Sequence, residues 1–129
     1  MSSITKTLNS FSDLLALSPV QESEISKAEI MLSLAFAPEY REYLSAFGAA
    51  AANGHELTGI LKSERLSVVK VTTREWGLNP QVPRTMYVVE NPTIDGIIVW
   101  QDGSGQIFPS SPNNAPKKIA DSLADYMNF

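Results

Sequence analysis

Apolar residues at helical spacing mark the first half of the chain. A recurrence at i, i+4, i+7 and i+11 predicts a first helix with the inward face Ile4, Leu8, Phe11 and Leu15. Ser18-Pro19 ends this helix, because the residue before a proline is pushed out of the helical region. A second helix follows Ser23, which can cap it, and Glu24 suits its N-terminal dipole. The apolar face of this second helix is Ile25, Ala28, Leu32 and Ala35.

A third helix is bounded by a proline and a glycine. Pro38 suits a first turn, and Gly48 takes the left-handed conformation that terminates a helix at little cost. The spacing predicts the inward face Tyr40, Tyr43, Leu44 and Phe47. The run Ala49–Ala52 could extend this helix by a turn before Asn53-Gly54 stops it. Residues 56–60 then read as a short strand.

The second half of the chain predicts a small antiparallel sheet. Residues 67–77 fit a strand by their β-branched composition and a helical face by their spacing, so the pattern leaves both open. Segments rich in strand-forming residues occupy 85–90, 96–101 and 106–109, and the short turns between them require antiparallel pairing. A last helix capped by Asn114 would turn three apolar residues inward, Ile119, Leu123 and Met127. Helices therefore lie toward both ends around the sheet, which is an α+β architecture.

Length and composition indicate one soluble domain spanning residues 1–129. The chain has no cysteine, which excludes disulfides, thiolate zinc sites and cysteine nucleophiles. No charged segment precedes an apolar core at the start, and no apolar run approaches the roughly 20 residues that span a bilayer. We therefore expect a cytoplasmic protein without a membrane partner.

The formal net charge of −4 and the pI of about 4.9 bear on the partner. An acidic surface repels phosphate backbones, and the only adjacent basic pair is Lys117-Lys118, so direct nucleic-acid binding is disfavoured. A basic protein partner is favoured electrostatically. Solubility alone also explains a mildly acidic surface, and the sequence leaves both interpretations open.

The segment D-G-S-G-Q-I copies the middle of an EF-hand calcium loop. In that alignment Trp100 occupies the first ligand position, where aspartate is needed, and Ser111 occupies the twelfth, where a bidentate glutamate is needed. Without these anionic ligands the site cannot offset the dehydration of calcium. Gly103 and Gly105 also lack the third glycine and the following helix of a dinucleotide fingerprint. The segment therefore predicts a hairpin turn.

Other candidate chemistry is sparse. His55 is the only histidine and no G-x-S-x-G motif accompanies it, so we expect a hydrogen-bonding rather than a catalytic histidine. Glu90, Asp95 and Asp102 could form a paired-carboxylate site, although aspartate at turns is explained by local backbone bonding. The sequence therefore predicts no catalytic residue, metal or cofactor. Large aromatic residues of the second half are expected mostly in the core, with interface anchoring as the alternative: Trp76, Tyr87, Trp100 and Phe108.

The order of segments along residues 20–128 resembles one known family. The sequence runs through E-S-E-I-S-K-A-E-I, A-P-E-Y-R-E-Y-L-S-A-F-G, G-H-E-L-T-G-I, S-V-V-K-V-T, M-Y-V-V-E-N, D-G-I-I-V-W-Q-D-G-S-G-Q-I-F and S-L-A-D-Y-M. This order is similar to the SUKH superfamily, in the branch grouped with a fungal cell-wall synthesis regulator. Ala37-Pro38 replaces the usual Leu-Pro, and Gly48-Ala49 replaces paired glycines. The resemblance implies a SUKH-like fold and a helix over residues 67–77.

The resemblance also implies a non-enzymatic immunity protein that binds and blocks a cognate bacterial toxin domain, such as a basic nuclease. A regulatory scaffold of the cell-wall regulator type is the alternative, and a small enzyme built on the three carboxylates above is a third hypothesis. The expected docking surface is acidic and aromatic, with the residues Glu56, Glu90, Asp95, Trp100 and Asp102. In this interpretation the helix from Pro38 to Gly48 is framework, whereas the loop over residues 49–55 is available to the partner.

Overall fold

A computed structural model, which describes residues 3–129, confirms the predicted α+β class. Its helices are α1 (Ile4–Asn9), α2 (Glu22–Leu32), α3 (Pro38–Phe47), α4 (Val68–Leu78) and α5 (Leu123–Tyr126). Its strands are β1 (Leu15–Ala16), β2 (Ala50–Ala52), β3 (His55–Glu56), β4 (Tyr87–Glu90), β5 (Ile98–Gln101) and β6 (Ile107–Ser110). The helix expected from the family resemblance over residues 67–77 is therefore confirmed as α4, and Ser67 caps it by accepting the Lys70 N–H.

The strands form two three-stranded antiparallel sheets, with the orders β1-β2-β3 and β4-β5-β6. A bridge between Leu57 and Glu90 joins them, and the Thr58 N–H donates to the Val89 carbonyl at 2.9 Å. The segment predicted as a strand over residues 56–60 thus belongs to β3 only at its start and continues as isolated bridges. This seam places the β2–β3 hairpin directly against the edge of the second sheet.

The third helix has the predicted boundaries. Pro38 lies in its first turn, Gly48 ends it at a φ of 72°, and the predicted face is buried. Gly48 also contacts Gly59: its carbonyl accepts the Ile60 N–H at 3.0 Å, and a Cβ added to Gly59 would lie 2.0 Å from the same oxygen. Only glycine fits at position 59, so the end of α3 is fixed against the seam between the sheets.

The first helix is shorter than predicted. α1 ends at Asn9, and Leu15 lies in β1 as an exposed residue instead of on an inward helical face. The carboxylate of Asp13 accepts the Asn53 N–H at 3.0 and 3.1 Å, and Leu15 pairs with Ala51. The helical prediction for this segment is wrong because these long-range bonds to the hairpin outweigh the local spacing of apolar residues.

The alanine run forms a strand rather than a helical extension or a loop. Ala50–Ala52 is β2, and Asn53-Gly54 is the two-residue turn into β3, with φ angles of 51° and 80°. Positive φ at both central positions is typical of the hairpin turn that asparagine and glycine favour. The Tyr43 hydroxyl holds the hairpin, because it accepts the Ala50 N–H at 2.9 Å and donates to the Thr58 carbonyl at 2.8 Å.

The second helix starts one residue before its predicted cap. α2 begins at Glu22, so Ser23 lies inside the helix, and in the described part of the chain the side chain of the N-cap residue Gln21 makes no capping hydrogen bond. Acidic residues in the first turn compensate the helix dipole, as expected for Glu24. The predicted apolar face is buried at Ile25, Ala28 and Leu32. Ala35 lies beyond the helix and is exposed, which corrects the prediction for that residue.

The last helix starts later than predicted. Ser122 caps α5, whereas Asn114 lies in a turn well before it. The intervening chain pairs with β6: Ile107 donates to the Ala120 carbonyl and accepts from the Ile119 N–H, both at 2.9 Å. Ile119 is consequently exposed rather than inward, while the other two residues of the predicted face, Leu123 and Met127, are buried.

A buried polar chain ties α3, the second sheet and α5 together. The Tyr87 hydroxyl donates to Gln101 Oε1 at 2.7 Å, and Gln101 Nε2 donates to Glu39 Oε1 at 2.8 Å. The Glu39 carboxylate then accepts the N–H groups of Leu123 at 2.6 Å and Ala124 at 2.9 Å. These N–H groups open the first turn of α5 and have no partner within it. Glu39 therefore docks the terminal helix onto the core.

Candidate functional site

The first sheet has an apolar face that points away from the core. Strand alternation and the observed register put one set of residues on the core side, including the buried Ala50 and Ala52. The opposite set is named here the hairpin face: Leu15, Leu17, Ala51 and Glu56 are at least partly open to solvent, and Ala49, whose carbonyl accepts the Leu17 N–H, is buried beside them. The outer face of an antiparallel sheet is normally polar. Here Leu15 is 73% and Leu17 58% exposed, so a water-facing surface carries large apolar side chains.

The hairpin face forms one side of an open cleft. Leu61 and Leu66 line the cleft, which has a volume of about 380 Å³. An ion pair between Glu56 and Arg65 lies at its rim, and this hydrogen-bonded partner lowers the pKa of the Glu56 carboxyl. The surface therefore combines an apolar floor with a charged rim, a combination typical of protein-interaction sites.

Glu90, a predicted docking residue, lies in a buried hydrogen-bond cluster. Its Oε1 is 2.8 Å from His55 Nδ1 and accepts the Tyr126 hydroxyl at 2.6 Å. Its Oε2 accepts the Glu56 N–H at 2.7 Å. The residue is 4% exposed. Glu90 thus links the hairpin, the second sheet and α5 from the inside, and its carboxylate is directed at these internal donors.

The His55 imidazole is packed against the Tyr126 ring at a centroid distance of 4.7 Å. Its hydrogen bond to Glu90 raises the pKa of His55 against the opposing effect of burial, and the main chain of Phe129 adds to the rise. Burial and the Glu90 contact both raise the pKa of the Tyr126 hydroxyl, so it stays protonated as a donor. The predicted hydrogen-bonding role of His55 agrees with this geometry.

Trp100 lies in the core rather than at the surface. Its side chain is fully buried and its Nε1 donates to Ser110 Oγ at 2.8 Å. Asp95 and Asp102 are in the turns before and after β5, so the strand separates them. Asp95 is exposed with a φ of 52°, and Asp102 is half-buried. Of the predicted docking residues, only Glu56 therefore belongs to the hairpin face.

The three carboxylates of the enzyme hypothesis do not come together at one place. β4 and β5 run antiparallel, with Glu90 opposite Val99 and Tyr87 opposite Gln101. Glu90 therefore lies at one end of this strand pair, while Asp102 follows the other end. Acid–base chemistry of the paired type needs both carboxyl groups at one reacting centre. The arrangement does not support this hypothesis.

The calcium-like segment is the β5–β6 turn, as predicted. Asp102 Oδ1 accepts the N–H groups of Ser104 and Gln106, both at 3.0 Å, and the Ser104 hydroxyl at 2.7 Å. This carboxylate oxygen is thus directed at the turn's own backbone, which is the usual role of aspartate in such a turn. Within residues 3–129, no group of three or more acidic or histidine side chains is placed to hold a metal ion.

The fold and the hairpin face define an α+β protein with an exposed apolar sheet surface. A family model, SUKH_5, described as SMI1-KNR4 cell-wall, matches residues 1–128. The chain belongs to this family of the SUKH superfamily. The superfamily includes immunity proteins, and its members are generally non-enzymatic. No curated protein matches the chain. No helix in the described part of the chain has the length and apolar character needed to cross a membrane.

The sequence analysis assigned residues 49–55 and Glu56 to partner contact, but it did not identify the hairpin face as a sheet surface that includes Leu15 and Leu17. Its signal is the run Leu14-Leu15-Ala16-Leu17, in which Leu15 and Leu17 alternate as in a strand, but helical spacing also fits the first of these. The alanines that pair with this run are too small and unspecific to indicate a binding surface from the sequence. The face exists only because β1 and β2 pair over a long sequence separation.

Proposed function

We propose that this protein binds a cognate bacterial toxin domain and neutralises it by occlusion, in the cytoplasm and without catalysis of its own. The observation that carries the proposal is membership of a superfamily that includes immunity proteins, over nearly the whole chain. Occlusion requires a stable surface that a partner can cover, and no reacting groups. The hairpin face is such a surface.

The toxin domain is proposed to cover the hairpin face. Burying an exposed leucine side chain contributes roughly 1.5–3 kcal/mol. Leu15 and Leu17 stand next to each other on the same side of the sheet and are the strongest candidates for this gain. The alanines beside them are small, so a larger side chain of the partner can reach into the cleft between the sheet and Leu61.

The acidic residues contribute to encounter rather than to the centre of the interface. The net charge of −4 favours a basic partner at long range. Glu56 lies on the hairpin face but is paired with Arg65, whereas Asp95 and Asp102 lie in turns of the second sheet. In this proposal these carboxylates steer a basic toxin domain toward the protein, while Glu90 and Trp100 support the surface from within.

A regulatory scaffold is the second candidate, because the description of the matching family model is SMI1-KNR4 cell-wall. A scaffold would also bind a protein partner through an exposed apolar surface. The two functions differ in the fate of the bound partner, because only an immunity protein abolishes the activity of that partner.

Co-expression with the proposed cognate toxin domain tests the proposal. The wild-type chain is expected to restore growth, and Leu15→Lys combined with Leu17→Lys is expected to lose that protection. Ile30→Lys is the matched control, because Ile30 is 77% exposed on α2 and outside the hairpin face. Growth arrest despite soluble wild-type protein would favour the scaffold, and protection by the double lysine variant would remove the hairpin face from the proposal.

A further inference from the structure

A second cleft lies at the C-terminal end of α4, between that helix and the β4–β5 turn. It has a volume of about 440 Å³. Polar and apolar residues line it together: Glu75, Leu78, Asn79, Asn91, Thr93, Gly96, Ile98 and Pro112. None of these residues belongs to the hairpin face. Two of the polar ones, Glu75 and Asn79, are only 7% and 5% exposed, although both border the opening.

The lining of this cleft is rich in hydrogen-bond acceptors. Glu75 Oε1 accepts the Asn79 amide at 3.1 Å, and Oε2 accepts Arg74 Nε at 3.3 Å. A carboxylate has about four acceptor positions, so positions remain free on Glu75. The Asn79 amide nitrogen donates to Glu75, and no donor in residues 3–129 reaches the Asn79 Oδ1. The cleft therefore offers a nearly buried carboxylate and an amide oxygen to an incoming donor.

The neighbouring Arg74 does not close this site. Its contact with Glu75 is long and its side chain is 46% exposed, a geometry in which an ion pair contributes little. An incoming cation would approach from the cleft, on the side of Asn79. Asp95 lies in the adjacent turn, one residue before the lining residue Gly96, and adds a negative charge to that turn.

Apolar side chains complete the shape of the site. Leu78 is 70% and Ile94, which neighbours the lining residue Thr93, is 58% exposed. Ile98 is buried in the cleft and Pro112 forms its other wall. Long basic side chains pack their methylene stems on apolar surface while the charged end makes hydrogen bonds. Leu78, Ile98 and Pro112 are placed to hold such a stem.

We propose that this cleft, named here the Glu75 cleft, binds an arginine side chain of the protein partner. Guanidinium carries five donors and no acceptor, and it pairs with carboxylates in a fixed fork geometry, so it matches a lining of acceptors. The inference rests on the proposed function for the identity of the partner, because that function supplies a basic protein. It places a specific anchor away from the apolar hairpin face.

A peptide titration tests the Glu75 cleft without the toxin. Acetyl-Leu-Arg-Leu-amide is added to the full chain while backbone amide signals are followed by NMR. The neutral isostere with citrulline in place of arginine is the control peptide. Saturable shifts confined to Asn79, Asn91, Thr93 and Gly96 are expected with arginine, and citrulline is expected to bind about tenfold more weakly or worse.

Variants connect the binding to the residues named. Glu75→Gln keeps the shape of the side chain and is expected to weaken arginine binding about tenfold. Glu64→Gln is the control: Glu64 is exposed and precedes α4, and this change is expected to leave arginine binding unchanged. If Glu75→Gln unfolds, Leu78→Lys places a competing cation at the mouth and is expected to weaken binding without touching the core. The inference would be overturned by equal affinity for both peptides or by the absence of a saturable shift. It would also be overturned by shifts outside the cleft, or by spermidine binding more tightly than the peptide. Rescue from the toxin is scored separately, so either proposal can fail alone.

Discussion

The imidazole Nδ1 of His55 lies 2.8 Å from the carboxylate Oε1 of Glu90, where the hairpin meets the second sheet. This contact stabilises the charged imidazole and raises the pKa of His55 above its ordinary value of 6.5. A raised folded-state pKa means that the contact contributes stability below about pH 6.5. The contribution is lost as the pH rises through the folded-state pKa.

Stability should therefore depend on pH through His55. The difference in unfolding free energy between wild type and His55→Gln is expected to be larger at about pH 5.5 than at about pH 9, by about 1.4 kcal/mol for each unit of raised pKa. Urea unfolding at both pH values measures this difference. His55 is the only histidine, so its NMR titration gives the folded-state pKa directly. A value at or below 6.5 would contradict the account.

Two glycines should respond oppositely to alanine. Gly59→Ala places a Cβ 2.0 Å from the Gly48 carbonyl oxygen, which is backbone and cannot move aside, so a loss of about 3 kcal/mol is expected. A Cβ added at Gly77 meets no atom of residues 3–129 within 4 Å. Gly77 lies near the end of α4, so Gly77→Ala is expected to gain roughly 0.5 kcal/mol from helix propensity. Thermal unfolding of both variants checks the pair. A neutral Gly59→Ala would mean that the two segments are not in contact.

Glu39 should stabilise the protein more than its neighbour on α3, Glu42. The Glu39 carboxylate accepts two N–H groups of α5 and the Gln101 amide, so Glu39→Ala is expected to cost roughly 2 kcal/mol. Among the described residues Glu42 bonds only to Thr5, in an exposed setting, so Glu42→Ala is expected to cost less than about 0.5 kcal/mol. Chemical unfolding ranks the two. Hydrogen exchange of the Leu123 amide should accelerate only in the first variant.

Association with a basic toxin domain should slow as salt is added. Charges separated by more than about 8 Å are screened at physiological ionic strength, so long-range steering by the acidic protein weakens. Replacing Glu56, Asp95 and Asp102 by their amides is expected to lower the on-rate and flatten its salt dependence, with little change in the off-rate. Stopped-flow mixing measures both. An on-rate that is independent of salt concentration would contradict steering by the acidic residues.

Local signals in the sequence predicted the structure correctly where they agreed with the tertiary contacts. Pro38 and Gly48 mark the start and end of α3 as predicted, and the spacing of its tyrosines predicted the buried face correctly. The composition of residues 67–77 left strand and helix open, and the family resemblance correctly predicted a helix. In the structure a capping Ser67 and a buried Trp76 fit a helix there.

The local signals failed where distant segments determine the structure. Leu15 satisfied a helical spacing, yet it pairs with Ala51 across the hairpin. Alanine favours helices, yet Ala50–Ala52 is a strand between Gly48 and the Asn53-Gly54 turn. The hairpin face could not be predicted from either segment alone, because it is created by their pairing.

The affinity of the purified protein for the proposed toxin domain tests the central claim most directly. Isothermal titration calorimetry should show one-to-one binding by the wild type and by Ile30→Lys, while Leu15→Lys combined with Leu17→Lys weakens it by at least about 100-fold, since two buried leucines are lost. Wild-type binding that survives both lysines unchanged would contradict docking on the hairpin face. No binding by the well-folded wild type would contradict the proposed function itself.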